Sequence, residues 1–121
     1  MAVYVDGYLL PVPKKNVEKY RKMAAMASKV WKEHGALEYR ECVADDVKPK
    51  GMLSFLGAVK AKKGETVFFS YVVYKSRAHR DQVNKKVMKD PRIAAMMPDK
   101  MPMPFDHKRM FFGGFKALVE A

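Results

Sequence analysis

Residues 66–74 read Thr-Val-Phe-Phe-Ser-Tyr-Val-Val-Tyr, and no other feature limits the possible folds of this chain so sharply. A run of aromatic and β-branched residues, interrupted by Ser70 alone, favours an extended strand. Strand side chains alternate between two faces. Here Val67, Phe69, Tyr71 and Val73 share one face, while Phe68, Val72 and Tyr74 occupy the other. An antiparallel sheet with one wet face shows apolar–polar alternation instead. The same double-sided pattern recurs twice. In a first strand, Val3–Val12, the residues Val3, Val5 and Leu9 oppose Tyr4, Tyr8 and Leu10. In a last strand, Met110–Val119, Phe111 and Phe115 oppose Met110, Phe112 and Leu118. A sheet built from these strands needs two covers.

Helices supply one cover. Val17, Tyr20, Ala24, Ala27 and Trp31 recur at three- and four-residue steps and predict a helix over Lys14–His34, after Pro11 and Pro13 end the first strand. Gly35 stands where a helix stops. Ala36–Asp45 reads as a strand, with Leu37, Tyr39 and Val43 on one face and Glu38 and Arg40 on the other. Ser76 is suited to cap a second helix, Arg77–Lys89. Asp90-Pro91 breaks it, Arg92–Met97 suits one more turn, and the proline-rich run Pro98–Pro104 excludes regular structure. Residues 52–59 fit a short strand or a helical turn. The order strand, helix, strand, strand, helix, strand predicts an α+β, ferredoxin-like βαββαβ antiparallel sheet with both helices on one face.

A second copy of the chain is the simplest second cover. Two sheets packed face to face about a two-fold axis form a barrel-like homodimer, and burial of ~800 Å² per partner is ordinary for a stable complex. The alternative is a monomer whose own loops, Asp46–Lys63 and Pro98–Pro104, fold over the sheet.

At 121 residues one domain, 1–121, is expected. No apolar run approaches the roughly 18 residues of a membrane span, and the start of the chain lacks the pattern of a secretory leader. The single cysteine, Cys42, cannot form an internal disulfide and reads as a small buried residue; a reducing, cytoplasmic home fits. The net charge of +11 raises the question of an anionic partner. The cations are dispersed, however, and Thr66–Tyr74 lacks the glycine and basic start of an RNA-recognition strand, which argues against nucleic acid.

The tail Met103–Phe115 concentrates the polar chemistry of the chain. Asp106 is a candidate proton acceptor, and Lys108 and Arg109 are candidate anion ligands; the planar fork of Arg109 suits carboxylates and phosphates. Against this, aspartate is a common turn former. His79, one turn into the second helix, is a second candidate base, or an ordinary core histidine. His34 suits the C-terminal end of a helix, and His107 an exposed turn. Trp31, Tyr71, Phe69 and Phe111 are candidates to line an apolar pocket between sheet and helices. The histidines and the cysteine show no metal-ligand spacing, so no metal and no cofactor are expected. Paired Gly113-Gly114 inside a strand calls for a bulge, a bend or the close approach of another group.

Tyr4-Val5-Asp6-Gly7, Gly35-Ala36-Leu37, Glu41-Cys42, Phe69-Ser70, Asp90-Pro91-Arg92 and the tail Met103-Pro104-Phe105-Asp106, Lys108-Arg109-Met110, Gly113-Gly114-Phe115 resemble the YbaA-like family of small bacterial proteins. The resemblance covers nearly the whole chain, with the tail as its most specific part. It implies the dimeric α/β-barrel group, which includes cofactor-free monooxygenases, haem-binding and haem-degrading members, and isomerase-like enzymes. For this chain the resemblance implies a homodimer; in a haem-binding variant His79 is the candidate ligand. The family carries no assigned activity, so whether the chain is an enzyme stays open. The functional expectation is a small organic molecule held between sheet and helices, handled by a cofactor-independent oxygenase or isomerase, or by a non-catalytic binding protein. The insert Met96–Met103 is longer than the usual pattern.

Overall fold

The computed structural model describes residues 2–121. Along the chain run β1 (Tyr4–Pro13), α1 (Val17–Glu33), β2 (Glu38–Val43), α2 (Phe55–Ala58), β3 (Glu65–Tyr74), α3 (Arg77–Met88), α4 (Pro91–Ala94) and β4 (Phe111–Lys116). The four strands form one antiparallel sheet in the order β2-β3-β1-β4. The double-sided strands β1 and β3 are neighbours at its centre and pair from Tyr4↔Tyr74 to Pro13↔Glu65. Central strands have the most area to bury, which is where residues apolar on both faces belong.

Even-numbered positions of β1 and β3 face the helices. Leu10, Val12 and Phe68 pack with Tyr20 and Ala24 of α1. Val72 and Tyr74 pack with Val30 of α1, Val83 and Val87 of α3, and Ile93 of α4. The predicted stripe on α1 is therefore the buried one. Ser76 caps α3, its hydroxyl accepting from His79 N at 3.1 Å. Gly35 follows α1 at φ +118°, a conformation that favours glycine. Asp90 caps α4 through Arg92 N at 2.9 Å, with Pro91 as its first residue.

Several boundaries differ from those expected. β1 runs through Pro11 to Pro13, because β4 pairs only with Tyr4–Leu9. Beyond Leu9 that side of β1 is a free edge, where a missing N–H costs no ladder bond. Lys14–Asn16 form a 3-10 turn before α1 starts at Val17. Residues 52–59 take the helical alternative: Ser54 caps α2 through Leu56 N at 3.1 Å. β4 stops at Lys116, and Leu118 is 95% exposed. Cys42 is exposed on edge strand β2, not buried, since its period-two position turns it away from the helices.

The odd-numbered face is only partly covered. α2 packs against β3, with Phe55 edge-on to Phe69 at 6.2 Å, and nearby Val67 is 2% exposed. Beyond that corner Phe69, Phe111 and Phe115 are exposed. They border a groove with Val5, Gly7 and Leu9. The Pro98–Pro104 segment lies on the other side, over the helical layer, where Pro98, Met103 and Pro104 line cavities beside α1.

The paired glycines are explained by close approach. Gly7 pairs with Gly113 and Asp6 with Gly114 in unbroken register. On the open face the Phe115 ring lies against Gly7 and Gly113, 3.6 Å and 3.3 Å from where their Cβ atoms would stand. On the helical face a methyl on Gly114 would fall 2.8 Å from Cε2 and 2.9 Å from Cζ of Tyr4. That ring cannot swing freely, because the Arg80 guanidinium stacks on it at 5.0 Å. Gly114→Ala is expected to cost about 1–3 kcal/mol by overpacking. Urea denaturation of the single variant and of a Tyr4→Ala, Gly114→Ala double variant checks this. The glycine substitution should cost little once the ring is gone.

Candidate functional site

Strand parity places one carboxylate on the core face of β2. Tyr39, Glu41 and Val43 alternate with Glu38, Arg40 and Cys42, and Glu41 pairs with Ser70 of β3. Glu41 Oε1 accepts a hydrogen bond from Tyr20 OH at 2.8 Å and a short one from Ser70 Oγ. Its Oε2 accepts from Tyr39 OH at 2.8 Å. One carboxylate thus gathers three hydroxyls from α1, β2 and β3. Burial above all, and then the Glu41 charge and hydrogen bond, push the Tyr20 and Tyr39 phenols far above their ordinary range. Both remain protonated donors at any physiological pH.

This cluster is the main polar group of a largely apolar cavity of about 330 Å³. Its walls include Tyr8, Trp31, Ala27 and Met23. Its roof is supplied by the segment after α3, including Ile93, Met96, Met97 and Met103. Thioether side chains adapt to irregular shapes. Trp31 is fixed from behind: Nε1 lies 3.1 Å from both Tyr74 OH and Asn84 Oδ1. Tyr74 OH also donates to Asn84 Oδ1 at 3.1 Å.

The tail splits into two parts. Met103, Phe105, His107 and Met110 line the cavity, and Phe105 meets the Tyr20 ring edge-on at 5.5 Å. Asp106, Lys108 and Arg109 are not part of the lining. Asp106 caps a 3-10 turn, accepting from Lys108 N at 3.0 Å, and the Lys108 side chain is exposed. Arg109 gives its fork to Glu65, with contacts of 2.7 and 2.9 Å, and a further donor to Lys60 O at 3.0 Å. The pairing holds the Glu65 carboxyl below its usual range.

The other sequence candidates are dispersed. His79 stands at the start of α3, its Nδ1 accepting from Lys75 N at 2.9 Å and its ring edge-on to Tyr74. His34 pairs with Asp90 at 2.9 Å. Of the four aromatics expected to share one pocket, only Trp31 lies between sheet and helices. Phe69, Tyr71 and Phe111 border the groove on the opposite face, as odd-numbered residues of β3 and β4 must. Glu41 carries its signal in the sequence as strand parity and not as a motif. It is a lone acid at the parity of Tyr39 and Val43, inside a strand whose other charges point outward.

A second carboxyl of the helical face lies near Tyr74. Asp6 of β1 is fully buried. Arg80 Nη1 donates to its Oδ1 at 2.9 Å, and Oδ2 has no partner among the described residues. Burial pushes this carboxyl up, against the opposing pull of Arg80 and Asn84.

Among the described residues no helix is long and apolar enough to cross a membrane. A family described as "Protein of unknown function (DUF1428)" matches residues 3–107. Three relatives are each called "Uncharacterized protein YbaA": those of Escherichia coli strain K12, Escherichia coli O157:H7 and Shigella flexneri. Each is 44% identical over 117 residues, covering 97% of both chains. The de novo designed protein Foldit4 aligns over 99% of this chain and 100% of its own at 10% identity, with a TM-score of 0.45, too distant to bear on the fold. The family match spans the Glu41 floor and nearly all of the cavity wall, and with the full-length relatives it places this chain in the DUF1428, YbaA-like family of proteins of unknown function.

Proposed function

We infer that this protein is a cytoplasmic homodimer that binds a small, mostly apolar organic molecule carrying a hydrogen-bond donor. The observation that carries the binding reading is Glu41 at the floor of an apolar cavity. A volume of about 330 Å³ lies within the range of natural ligand pockets, and a few placed polar groups in a largely apolar wall are how such pockets orient a ligand. Homodimerisation is supported by the exposed aromatics of the sheet face turned away from the helices, and the strand order β2-β3-β1-β4 supports reading the sheet as ferredoxin-like.

Between binding and cofactor-independent isomerisation or oxygenation, the hydrogen bonding favours binding. Both Glu41 oxygens already accept hydroxyl hydrogens. A position at Oε2 remains for a ligand donor. That one position serves a ligand's hydrogen bond with all three hydroxyls left in place. In a catalytic form of this reading, Glu41 replaces Asp106 and His79 as the proton acceptor, because neither of those lines the cavity.

Trp31 is the single tryptophan and lines the cavity, so its fluorescence reports occupancy directly. Titration with α,ω-decanediol, a neutral probe, is expected to change that emission. A hydrogen bond to a charged group contributes about 1.5–3 kcal/mol, so Glu41→Gln should weaken the probe about tenfold or more. Saturable binding that is indifferent to Glu41→Gln, or no binding at all, rejects the reading.

A further inference from the structure

A second cavity, of about 530 Å³, adjoins the first on the solvent side of α1. Met23, Met96 and Met103 line both, so flexible thioether side chains stand at the boundary of the two spaces. The outer cavity differs from the inner one in charge. It carries Lys19, Lys22 and Arg92 and no carboxylate. Arg92 is held by Asp90 and by Glu33, at 2.8 and 2.6 Å. Lys19 and Lys22 are exposed, and among the described residues neither forms an ion pair.

Two lysines without an ion-pair partner among the described residues therefore line an outer space that adjoins the cavity holding Glu41. An apolar molecule with charge at one end only, and of negative sign, matches this order of surfaces. We propose that the ligand is an amphipathic anion: its anionic head rests between Lys19 and Lys22, its apolar chain passes the Met23–Met96–Met103 wall, and a terminal donor group reaches Glu41. The final contact rests on the binding reading above; the anionic head does not. A cationic amphiphile is excluded from the rim by like charge, and a neutral one leaves both lysines unused.

The test compares four probes by Trp31 fluorescence: ω-hydroxydecanoate, decanoate, α,ω-decanediol and decyltrimethylammonium. The hydroxy acid is expected to bind most tightly, with an affinity that falls as salt rises. A Lys19→Gln, Lys22→Gln double variant should weaken both acids about tenfold and leave the diol unchanged. Each single substitution should give an intermediate loss, which keeps the test open if the double variant is unstable. If the diol binds as tightly as the hydroxy acid, or if the lysine variants leave the acids unaffected, the anionic head is wrong while the Glu41 pocket stands. Tighter binding of decyltrimethylammonium overturns the charge assignment outright. Failure of all four probes overturns this proposal and the binding reading together.

Discussion

Arg80→Ala is expected to destabilise the fold by about 3–5 kcal/mol at neutral pH, the cost of stranding a buried charge by removing its partner. Asp6 is fully buried in the centre of the sheet, and the Arg80 side chain is 13% exposed. Among the described residues Oδ2 of Asp6 has no partner, so Arg80 supplies the hydrogen bond and charge that make ionised Asp6 tolerable there. The effect has a defined pH dependence. Burial raises the folded-state value of Asp6 above its usual 3.8, so between the two values the native state holds a proton that the unfolded chain has lost. The Asp6 contribution to stability is therefore greatest in acid, and falls as pH rises through the folded-state value. Removing Arg80 raises that value further. The penalty of the variant relative to wild type should then be largest at neutral pH and shrink toward about pH 3, below the usual 3.8, where Asp6 is protonated in the folded and the unfolded chain alike. Urea denaturation of both proteins at the two pH values tests this. A penalty under about 1 kcal/mol, or one equal at both pH values, contradicts it. Adding Asp6→Asn to Arg80→Ala should recover part of the loss, because an amide costs less than an unpaired carboxylate to bury.

Phe69→Glu is expected to turn a dimer into a monomer at micromolar concentration. Phe69 belongs to β3 at the centre of the sheet, on the face without helices, and is 48% exposed in the single chain. Phe111 and Phe115 of β4 are more exposed still. The helical cover on this face is α2, which packs edge-on against Phe69 near the buried Val67. In a two-fold dimer each interface substitution acts twice, and an unpaired carboxylate placed in a desolvated interface costs several kcal/mol. Light scattering should give the two-subunit mass for wild type and the single-subunit mass for Phe69→Glu, with an unchanged far-ultraviolet spectrum. A wild-type protein that stays monomeric at micromolar concentration removes the dimer from the proposal.

The elements were legible because periodicity is local. Period two in Thr66–Tyr74 and the three–four spacing of Val17–Trp31 each need only a few neighbouring residues, and both elements form where they were expected. The misplacements arose where a distant partner decides. Pro11 and Pro13 look like strand terminators until β4 is seen to stop at Leu9, leaving them on a free edge. Cys42 looks like a core residue until β2 proves to be an edge strand. The aromatic set Trp31, Phe69, Tyr71 and Phe111 was grouped by residue type, and the pleat sends three of the four to the other face. The charged tail suggested a site by composition, yet Asp106 is engaged as a cap and Arg109 by Glu65, forty-four residues away.

Alternating side chains and helical repeats alone sufficed to specify an α+β chain with one sheet that is apolar on both faces, since each such pattern is written within a single element. The convergence of Glu41 with Tyr20, Tyr39 and Ser70 was decided only by tertiary structure. So was the burial of Asp6 against Arg80. A hydrogen bond or an ion pair needs its atoms within about 3 Å, and that distance depends on strand register and helix docking, which join residues far apart in the chain.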